Sequence, residues 1–195
     1  AVAFANGTFV VTGNTGTIRT SADGIAWTTQ AAGTTNNLVG VAFGNSQFLI
    51  TANGPYITSA DGTTWSAQTQ MFTPNNLGSN CVVFANNQFL VGSFLGAIST
   101  SPTGAANSWT LRNSAFTVGM FDLLYANGRH FSVGNNGAVV SYPENGPPVI
   151  QIPAAAGATN VLRRMANGNG VYVAVGDGVR VLTSPDAQAW AASSE

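Results

Sequence analysis

The sequence predicts an all-β fold made of five repeats, each about 40 residues long with four short strands. A turn of the form Ser-x-Asp-Gly-x-x-Trp recurs along the chain, and no stretch keeps a helical period of 3.6 residues. A ring side chain also opens the second strand of every repeat. These rings are spaced by 39, 41, 41 and 42 residues, at Phe9, Phe48, Phe89, His130 and Tyr172. Such a period is typical of a β-propeller, in which each repeat forms one blade.

The turn motif is complete in the first two repeats and weaker afterwards. The fifth repeat has Ala187 where Gly is expected, the third has a stretched copy from Ser101 to Trp109, and the fourth lacks both Asp and Trp. We assign a structural role to the motif residues of three turns, namely Ser21, Asp23, Gly24, Trp27, Ser59, Asp61, Gly62, Trp65, Ser184, Asp186 and Trp190.

Asp-Gly predicts a hairpin, because Gly accepts a positive φ and the Asp carboxylate caps backbone N–H groups two residues on. The Ser hydroxyl makes a similar, weaker local bond. The Trp opens the next strand, where we expect a buried ring with one N–H to satisfy. The motif therefore predicts a self-capped turn pinned by an aromatic ring.

These stretches resemble the Asp-box of sialidase-type and related β-propellers. The glycine-bearing hairpin before them, as at residues 13–18, is similar to the repeats of photosystem II assembly-factor-like proteins. The resemblance covers nearly the whole chain and implies a propeller fold. It is specific for the repeat type and implies no particular activity. The fourth repeat departs from the pattern, since it has neither the Asp nor the Trp.

Each repeat is predicted to place its four strands in the same order, and turn residues separate them. The fourth repeat ends atypically at Pro147 and Pro148, and proline in a run predicts an edge strand. The predicted strands lie at 1–4, 9–12, 17–20 and 27–29; at 41–43, 47–50, 56–58 and 65–66; at 82–84, 89–91, 97–99 and 109–111; at 122–125, 130–133, 138–140 and 147–152; and at 161–162, 172–175 and 179–182, with a last one at Trp190.

We predict a single domain over residues 1–195, with blades at 1–37, 38–79, 80–119, 120–159 and 160–195. Both ends fall at repeat boundaries, so closure of a five-bladed ring would depend on the first and last blades meeting. The alternative is a partial or larger propeller of which five blades are seen. Because the chain begins at Ala1, we expect a processed, trimmed or partial chain.

The amino-acid composition limits the classes of partner that the protein can bind and the location in which it is expected. Charged residues make up 7%, lysine is absent and the net charge is −1, which disfavours nucleic-acid binding. No apolar run reaches the length of a membrane-spanning helix. The polar, lysine-free composition predicts an extracellular, cell-surface or periplasmic location. The lone Cys81 lies in an apolar run, which indicates a buried side chain.

A binding site is expected on one face of the propeller, where the crossovers between blades and the middle hairpins open. Paired asparagine amides beside aromatic rings suit carbohydrate hydroxyls, although asparagine is also a default turn residue. The candidate residues are Asn36, Asn37, Tyr56, Asn75, Asn76, Phe94, Asn135 and Asn136.

No catalytic residue, metal site or cofactor is predicted. His130 is the only histidine and occupies an aromatic position, which indicates a packed ring. A degenerate sialidase-like glycosidase is the enzymatic alternative. It would need two carboxylates, and only Asp122, Glu144 and Asp177 lie outside the turns and the terminus.

The sequence therefore predicts a non-catalytic binding or structural module, with a protein or glycan partner at the crossover face and a place in a larger assembly. A lectin with repeated weak sugar sites is the alternative within binding. One exposed patch formed by Met71, Phe72, Phe94 and Phe116 would favour a protein partner.

Overall fold

A computed structural model describes residues 1–53, 55–66, 69, 78–112, 119–142, 149–151, 160–178 and 181–193. Its regular elements are β-strands, with one 3₁₀ turn at Asn135–Gly137. The strands form five antiparallel sheets, called sheets 1 to 5 in chain order. The chain divides into two compact units: unit 1 is Ala1–Ser93 with Ala97–Asn113, and unit 2 is Phe94–Gly96 with Ser114–Glu195. The all-β prediction is confirmed, whereas closure into one ring and the domain boundaries stay predictions.

Unit 1 holds three sheets in which consecutive strands pair. Their first strands, β1, β5 and β8, lie next to one another. Sheet 1 is β1 (Val2–Ala5), β2 (Thr8–Thr12), β3 (Ile18–Ser21) and β4 (Thr28–Gln30); sheet 2 is β5 (Leu38–Gly44), β6 (Gln47–Ala52) and β7 (Tyr56–Ser59); sheet 3 is β8 (Ser79–Ala85), β9 (Gln88–Ser93), β10 (Ile98–Ser101) and β11 (Thr110–Arg112).

Unit 2 holds the other two sheets, again with neighbouring first strands, β12 and β16. Sheet 4 is β12 (Met120–Ala126), β13 (Arg129–Gly134), β14 (Val139–Tyr142) and β15 (Val149–Gln151); sheet 5 is β16 (Leu162–Gly168), β17 (Val171–Gly176), β18 (Val181–Ser184) and β19 (Ala191–Ala192). No helix among the described residues has the length and apolar character needed to cross a membrane.

The turn between the first two strands has the same form in all five sheets. Its two central residues have positive φ, as at Asn6 (49°) and Gly7 (72°). This backbone matches the twist of a two-residue hairpin and suits Asn and Gly. The other four turns are at Asn45–Ser46, Asn86–Asn87, Asn127–Gly128 and Asn169–Gly170.

Four of the five first strands carry a register shift that inserts one extra residue. The inserted residues are Val39, Asn80, Phe121 and Arg163, each near the start of its strand. Such bulges bend a strand and re-aim a side chain. Two of these residues meet in the candidate site described below.

Sheet 2 is apolar on both faces because it packs between two sheets. Phe48 and Ile50 lie in a core with Val10 and Ile18 of sheet 1. On the opposite face, Leu49 and Tyr56 pack with Phe89 and Trp109 of sheet 3. Burial on both faces explains why residues 48–50 form a continuous apolar run.

The described residues of unit 2 form a core between sheets 4 and 5. Phe131 and Val133 pack there with Tyr172, Ala174 and Leu182. The Phe131 and Tyr172 rings are 5.1 Å apart between centroids.

The predicted fourth strands need correction. Among the described residues sheet 2 has three strands, and Trp65 lies outside them. Ser66 nevertheless continues the pairing, because its N–H donates to the Thr58 carbonyl at 2.8 Å. In sheets 1, 3 and 5 the fourth strand begins one residue after the Trp. The Trp itself belongs to the turn, since its indole N–H binds the turn backbone at Trp27 and Trp65.

Candidate functional site

The three Asp turns use the same side-chain bonds. The Asp23 Oδ1 atom accepts bonds from the Ser21 hydroxyl and from the Ile25 and Ala26 N–H groups, at 2.8–2.9 Å. Asp61 and Asp186 repeat this arrangement with their own Ser and the two N–H groups that follow. The backbone bonds come first among the causes that lower the pKa of all three carboxyl groups. The predicted capping by Asp and Ser is therefore present.

The expected burial of the turn tryptophans is wrong for Trp27, which is 38% exposed. Trp65 and Trp190 are half-buried, and Trp109 is the one that is buried, at 7% exposed. The physical reason is the surroundings of each ring. Trp109 packs edge-on against Tyr56 and donates its indole N–H to the Tyr56 hydroxyl at 3.1 Å. Trp27 instead lies beside Phe9, with 6.3 Å between ring centroids, on the face of sheet 1 that points away from sheet 2.

The turns of sheets 2, 3 and 5 also pack against the preceding sheet of their own unit. A Cβ atom added at Gly62 would contact Val10 and Thr8 of sheet 1. In sheet 3 the equivalent Gly104 faces Gln47, whose amide donates to the Thr103 carbonyl. In unit 2, Ala187 lies in the core with Phe131. These turns thus connect neighbouring sheets.

At the other end of the sheets, middle hairpins and crossovers are joined by hydrogen bonds. In unit 1 the Gly16 N–H donates to the Asn36 carbonyl at 2.8 Å, and the Thr15 N–H donates to the Asn37 Oδ1 atom at 3.1 Å. The Asn53 N–H donates to the Asn37 carbonyl at 3.2 Å. Asn37 thus binds two hairpins, which supports its reading as a turn-capping residue.

The corresponding loops of unit 2 form what we call the hairpin surface: Phe94, Leu95, Gly119, Asn135 and Asn136. A Cβ atom at Gly119 would meet the Phe94 carbonyl and the Asn135 amide, so the two loops approach closely there. The Asn135 N–H donates to the Gly119 carbonyl at 3.1 Å. Phe94 and Leu95 are 42% and 53% exposed, and Asn136 is exposed in the left-handed region.

Not every candidate residue reaches this surface. Tyr56 is only 2% exposed and lies in the core between sheets 2 and 3, so it offers no ring face to a ligand. Burial raises the pKa of its hydroxyl. The remaining candidates, Asn75 and Asn76, lie outside the described residues, as do Met71, Phe72, Phe116 and Glu144.

A cluster of charged residues lies beside the hairpin surface in unit 2. The sequence analysis did not include it in the candidate site. Arg163 binds Asp177 through two bonds, Nε to Oδ1 at 2.8 Å and Nη2 to Oδ2 at 2.9 Å. Its guanidinium lies over the Phe121 ring, 5.3 Å from the centroid. The hydrogen bond to Asp177 raises the pKa of Arg163, and the same bond lowers the pKa of Asp177. Both side chains are half-exposed, so the pair is accessible to a partner.

Arg164 and Asp122 complete this cluster. The Arg164 Nη1 atom donates to the carbonyls of Phe121 and Arg163, at 3.1 and 2.7 Å. Asp122 accepts the Met165 N–H at 2.9 Å, and burial raises the pKa of its carboxyl group. Asp122 therefore ties β12 to β16, whereas Arg164 is on the exposed side.

The cluster is built by the bulges, because Phe121 and Arg163 are the inserted residues of β12 and β16. Sequence reasoning missed it because one extra residue leaves no periodic trace. Two signals were available: Arg163–Arg164 is the only adjacent arginine pair, and Asp122 and Asp177 are acids outside the turns.

The other reactive groups of the described chain are packed. His130 is 5% exposed and its ring lies 4.7 Å from that of Tyr125, as expected of an aromatic replacement. Cys81 is buried, and its thiol lies 3.9 Å from the Gly92 carbonyl. No group of three or more His, Cys, Asp or Glu residues within the described ranges could hold a metal ion.

Comparison with known proteins identifies the fold. No protein-family model and no curated protein match the chain. Among solved structures it is similar to YCF48 bound to a D1 peptide, with a TM-score of 0.72, 15% identity and 94% of this chain covered. It is also similar to YCF48 from Cyanidioschyzon merolae, with a TM-score of 0.64, 15% identity and 90% of this chain covered. The fold is that of a β-propeller.

A third similar structure is that of the computationally designed Ika8 protein, with a TM-score of 0.67, 15% identity and 93% of this chain covered. The chain covers 64%, 63% and 56% of the two YCF48 chains and the designed protein, respectively. It therefore spans less than two thirds of each. These identities are too low to carry a function across with the fold.

Proposed function

We propose that this β-propeller chain is a non-catalytic module that binds a protein partner through the hairpin surface of unit 2 and the adjoining charged cluster. The observation that carries the proposal is the exposed Phe94–Leu95 pair close to Arg163 and Arg164. Gly119, which touches the Phe94 loop, lies two residues before Phe121, which touches both arginines. One end of unit 2 therefore presents exposed apolar side chains and arginine side chains to a binding partner.

The chemistry of this surface suits a peptide. Aromatic and arginine side chains supply much of the binding energy at protein interfaces, and loops on a rigid scaffold commonly carry binding residues. Arg164 offers donors for peptide carbonyl or carboxylate groups, and Asp177 offers acceptors for N–H groups. The similarity to a YCF48 structure with a bound peptide supports this partner class.

The same geometry argues against a hydrolase. The three turn carboxylates bind their own backbone, and Asp122 binds the Met165 N–H. Asp177 is engaged by Arg163, which lowers its pKa and makes it a poor proton donor.

Peptide selection tests the proposal. A random peptide library displayed on phage would be selected against the wild-type chain, and the affinity of the peptides obtained measured by fluorescence anisotropy. We expect a Phe94→Ser, Leu95→Ser double variant to weaken binding by about tenfold or more, because two exposed apolar anchors are lost. Arg164→Ala should weaken binding to peptides that carry acidic residues.

Ile25→Ser is the matched control, since it also removes an exposed aliphatic side chain but lies in unit 1. It should leave the affinity unchanged. Equal affinities for the Phe94/Leu95 double variant and the wild type would place peptide binding elsewhere, and failure to select any peptide would argue against this partner class.

Glycan binding is a second candidate. Asn135 and Asn136 lie at the same surface as the exposed Phe94 ring, and amide groups beside an aromatic face suit sugar hydroxyls. Screening on a glycan array separates the two candidates. A sugar whose binding is lost in Asn136→Ala but kept in Ile25→Ser would support the lectin reading.

We further propose that the protein acts outside the cytoplasm, at a cell surface or in a periplasm, as part of a larger assembly. The support is compositional, because the chain lacks lysine and carries few charges. Immunodetection after fractionation of the source cells tests this proposal, and recovery in the cytoplasmic fraction alone would overturn it.

A further inference from the structure

A cavity of about 280 Å³ lies between sheet 4 and the Asp186 turn of sheet 5, within unit 2. Arg129 and Phe131 of β13, Ser141 of β14 and Tyr172 of β17 form part of its wall. The hairpin surface and the charged cluster lie at the opposite end of these sheets, because the bulges are near the start of β12 and β16 whereas the cavity adjoins the turn that follows β12. The cavity is therefore separate from the site proposed above for a protein partner.

In unit 1 the corresponding place is bridged by a direct bond. Gln47 begins β6 as Arg129 begins β13, and its amide donates to the Thr103 carbonyl in the turn of sheet 3. The Arg129 Nη2 atom instead donates to the Ser141 hydroxyl of its own sheet, at 3.1 Å. The cavity thus lies where a side chain of sheet 2 reaches the next turn in unit 1.

Two polar groups at the cavity have a donor that is not used. The Arg129 Nε–H group is buried and finds no hydrogen-bond acceptor in the described part of the chain. The Tyr172 hydroxyl accepts the Asn127 side-chain N–H at 2.8 Å, and no described group accepts its own proton. Because a buried donor without an acceptor costs free energy, both groups favour a bound molecule that supplies acceptor oxygens.

The Tyr172 hydroxyl is not needed for packing. At the same ring position, sheets 1, 2 and 3 have Phe9, Phe48 and Phe89. Phe48 and Phe89 are fully buried, so a ring without a hydroxyl fills this position well. Tyr172 is itself only 2% exposed. Its hydroxyl therefore adds a polar atom to a buried position, and it does so in the sheet whose turn borders the cavity.

The charges at the cavity favour an anion with a single negative charge. Among the described residues that line it, Arg129 is the cation and Asp186 is the acid. Hydrogen bonds from the Ala189 and Gln188 N–H groups lower the pKa of Asp186, so its carboxylate stays ionised at neutral pH and repels a doubly charged anion such as phosphate. A carboxylate has one charge, and its planar pair of oxygens suits a guanidinium group.

We propose that this cavity binds a small organic carboxylate. Its oxygens accept the Arg129 Nε–H and the Tyr172 hydroxyl proton, and its apolar part contacts Phe131 and Val149, which line the same cavity. Apolar walls with a few polar groups that fix the orientation of the ligand are typical of small-molecule sites.

Calorimetric titration of the full chain with benzoate, acetate, phosphate and benzamide tests this proposal. Benzoate should bind, and acetate should bind more weakly because it has no ring to bury. Phosphate should also bind more weakly than benzoate, because Asp186 repels its second charge. Benzamide has the shape of benzoate without the charge, so its affinity should be lower by about tenfold or more.

Two variants remove the donors one at a time. Arg129→Gln should lower the affinity for benzoate by about tenfold or more, and Tyr172→Phe by about threefold. Arg19→Gln is the matched control, because it removes an arginine charge at an exposed position of sheet 1, and it should bind benzoate like the wild type. Circular dichroism verifies folding, and Arg129→Lys replaces Arg129→Gln if that variant does not fold.

Failure of both benzoate and acetate to bind would overturn the proposal. Equal affinities for benzoate and benzamide would also overturn it, as would wild-type affinity in the Arg129 variant, because binding would then not depend on the carboxylate or on its donor. N-acetylphenylalanine, which imitates the end of a peptide, distinguishes two sources of the carboxylate. Tighter binding than that of benzoate would assign the cavity to a peptide carboxyl terminus, and weaker binding would assign it to a free small acid.

Discussion

At the scale of single residues, each Asp turn concentrates its bonds on one carboxylate oxygen. Asp61 Oδ1 accepts two backbone N–H groups and the Ser59 hydroxyl, and the Ser59 oxygen in turn accepts the Gly62 N–H. The bonds are local in sequence, so this geometry followed from the motif alone. Burial of the Trp ring could not be predicted in the same way, because the motif sets only the direction of the side chain. Whether the ring is buried depends on the neighbouring sheet.

Asp61→Ala removes the acceptor of three bonds and leaves two N–H groups to find water. We expect the melting temperature to fall by about 2–5 °C, by analogy with the loss of helix caps. Asp61→Asn keeps one carbonyl oxygen and should lose less. Thermal unfolding followed by circular dichroism measures both, and an unchanged Asp61→Ala melting temperature would show that the turn does not need this oxygen.

The turn acids also set the acid sensitivity of the fold. Hydrogen bonds lower the pKa of Asp23, Asp61 and Asp186 in the folded chain, so the unfolded chain binds more protons as pH falls below about 4. Their contribution is present above the unfolded pKa and is lost as pH falls through the folded values. Urea midpoints measured from neutral to acidic pH should fall less steeply in the triple Asp→Asn variant. The triple variant retains Asp122, because burial raises the pKa of this carboxyl group and its effect on the pH dependence has the opposite sign.

The tryptophans differ in what their removal costs. Trp109→Ala should destabilise the fold by about 3–5 kcal/mol, because it leaves a cavity beside Tyr56 and an unpaired hydroxyl. Trp27→Ala should cost less than half of that, since its ring is partly exposed. Urea unfolding compares the two variants, and equal losses would contradict the difference in burial.

At the scale of elements, the middle hairpin and the crossover of a repeat are joined by a backbone hydrogen bond in both units. Gly16 bonds to Asn36 in unit 1, and the Asp177 N–H bonds to the Val161 carbonyl in unit 2. Strand and turn positions could be predicted because alternation and Asn-Gly turns are local signals. The bulges that place Phe121 and Arg163 could not, because an inserted residue is defined only by the strand paired with it.

The contact between the middle hairpin and the crossover is tested by Gly16→Ala, with Gly7→Ala as the control. Both glycines have φ near +70°, so alanine is strained at each. Only at Gly16 would the added Cβ collide with a backbone oxygen, that of Thr34, whereas Gly7 has open space. We expect Gly16→Ala to cost about 1–3 kcal/mol more than Gly7→Ala in urea unfolding. Equal costs would mean that the crossover moves aside freely.

At the scale of the whole molecule, the repeat period predicted five sheets, and the described residues form five. The division into two units was not predicted, because every copy has similar composition and length. The candidate site was predicted in part. The structure brings Phe94, Asn135 and Asn136 together, as predicted, but it places Tyr56 in a core. The charged cluster was not predicted, because it depends on contacts between sheets.

The two units should open separately. Phe131→Ala removes a buried ring from the unit 2 core, so hydrogen exchange should accelerate in peptides from 120–142 and 160–178. Peptides from 1–53 should keep their protection. Exchange measured by mass spectrometry distinguishes this outcome from uniform acceleration, which would indicate that the chain unfolds as one cooperative unit.

In sheets 2, 3 and 5 the contact between the turn and the preceding sheet gives the array a direction. Gly62 lies close to Val10, Gly104 lies close to Leu49, and Ala187 packs in one core with Phe131, so each of these three turns contacts the preceding sheet. Gene duplication within an array of this kind adds a unit that already fits both of its new neighbours. Lineages could therefore lengthen or shorten the protein by whole copies while the remaining seams stay intact.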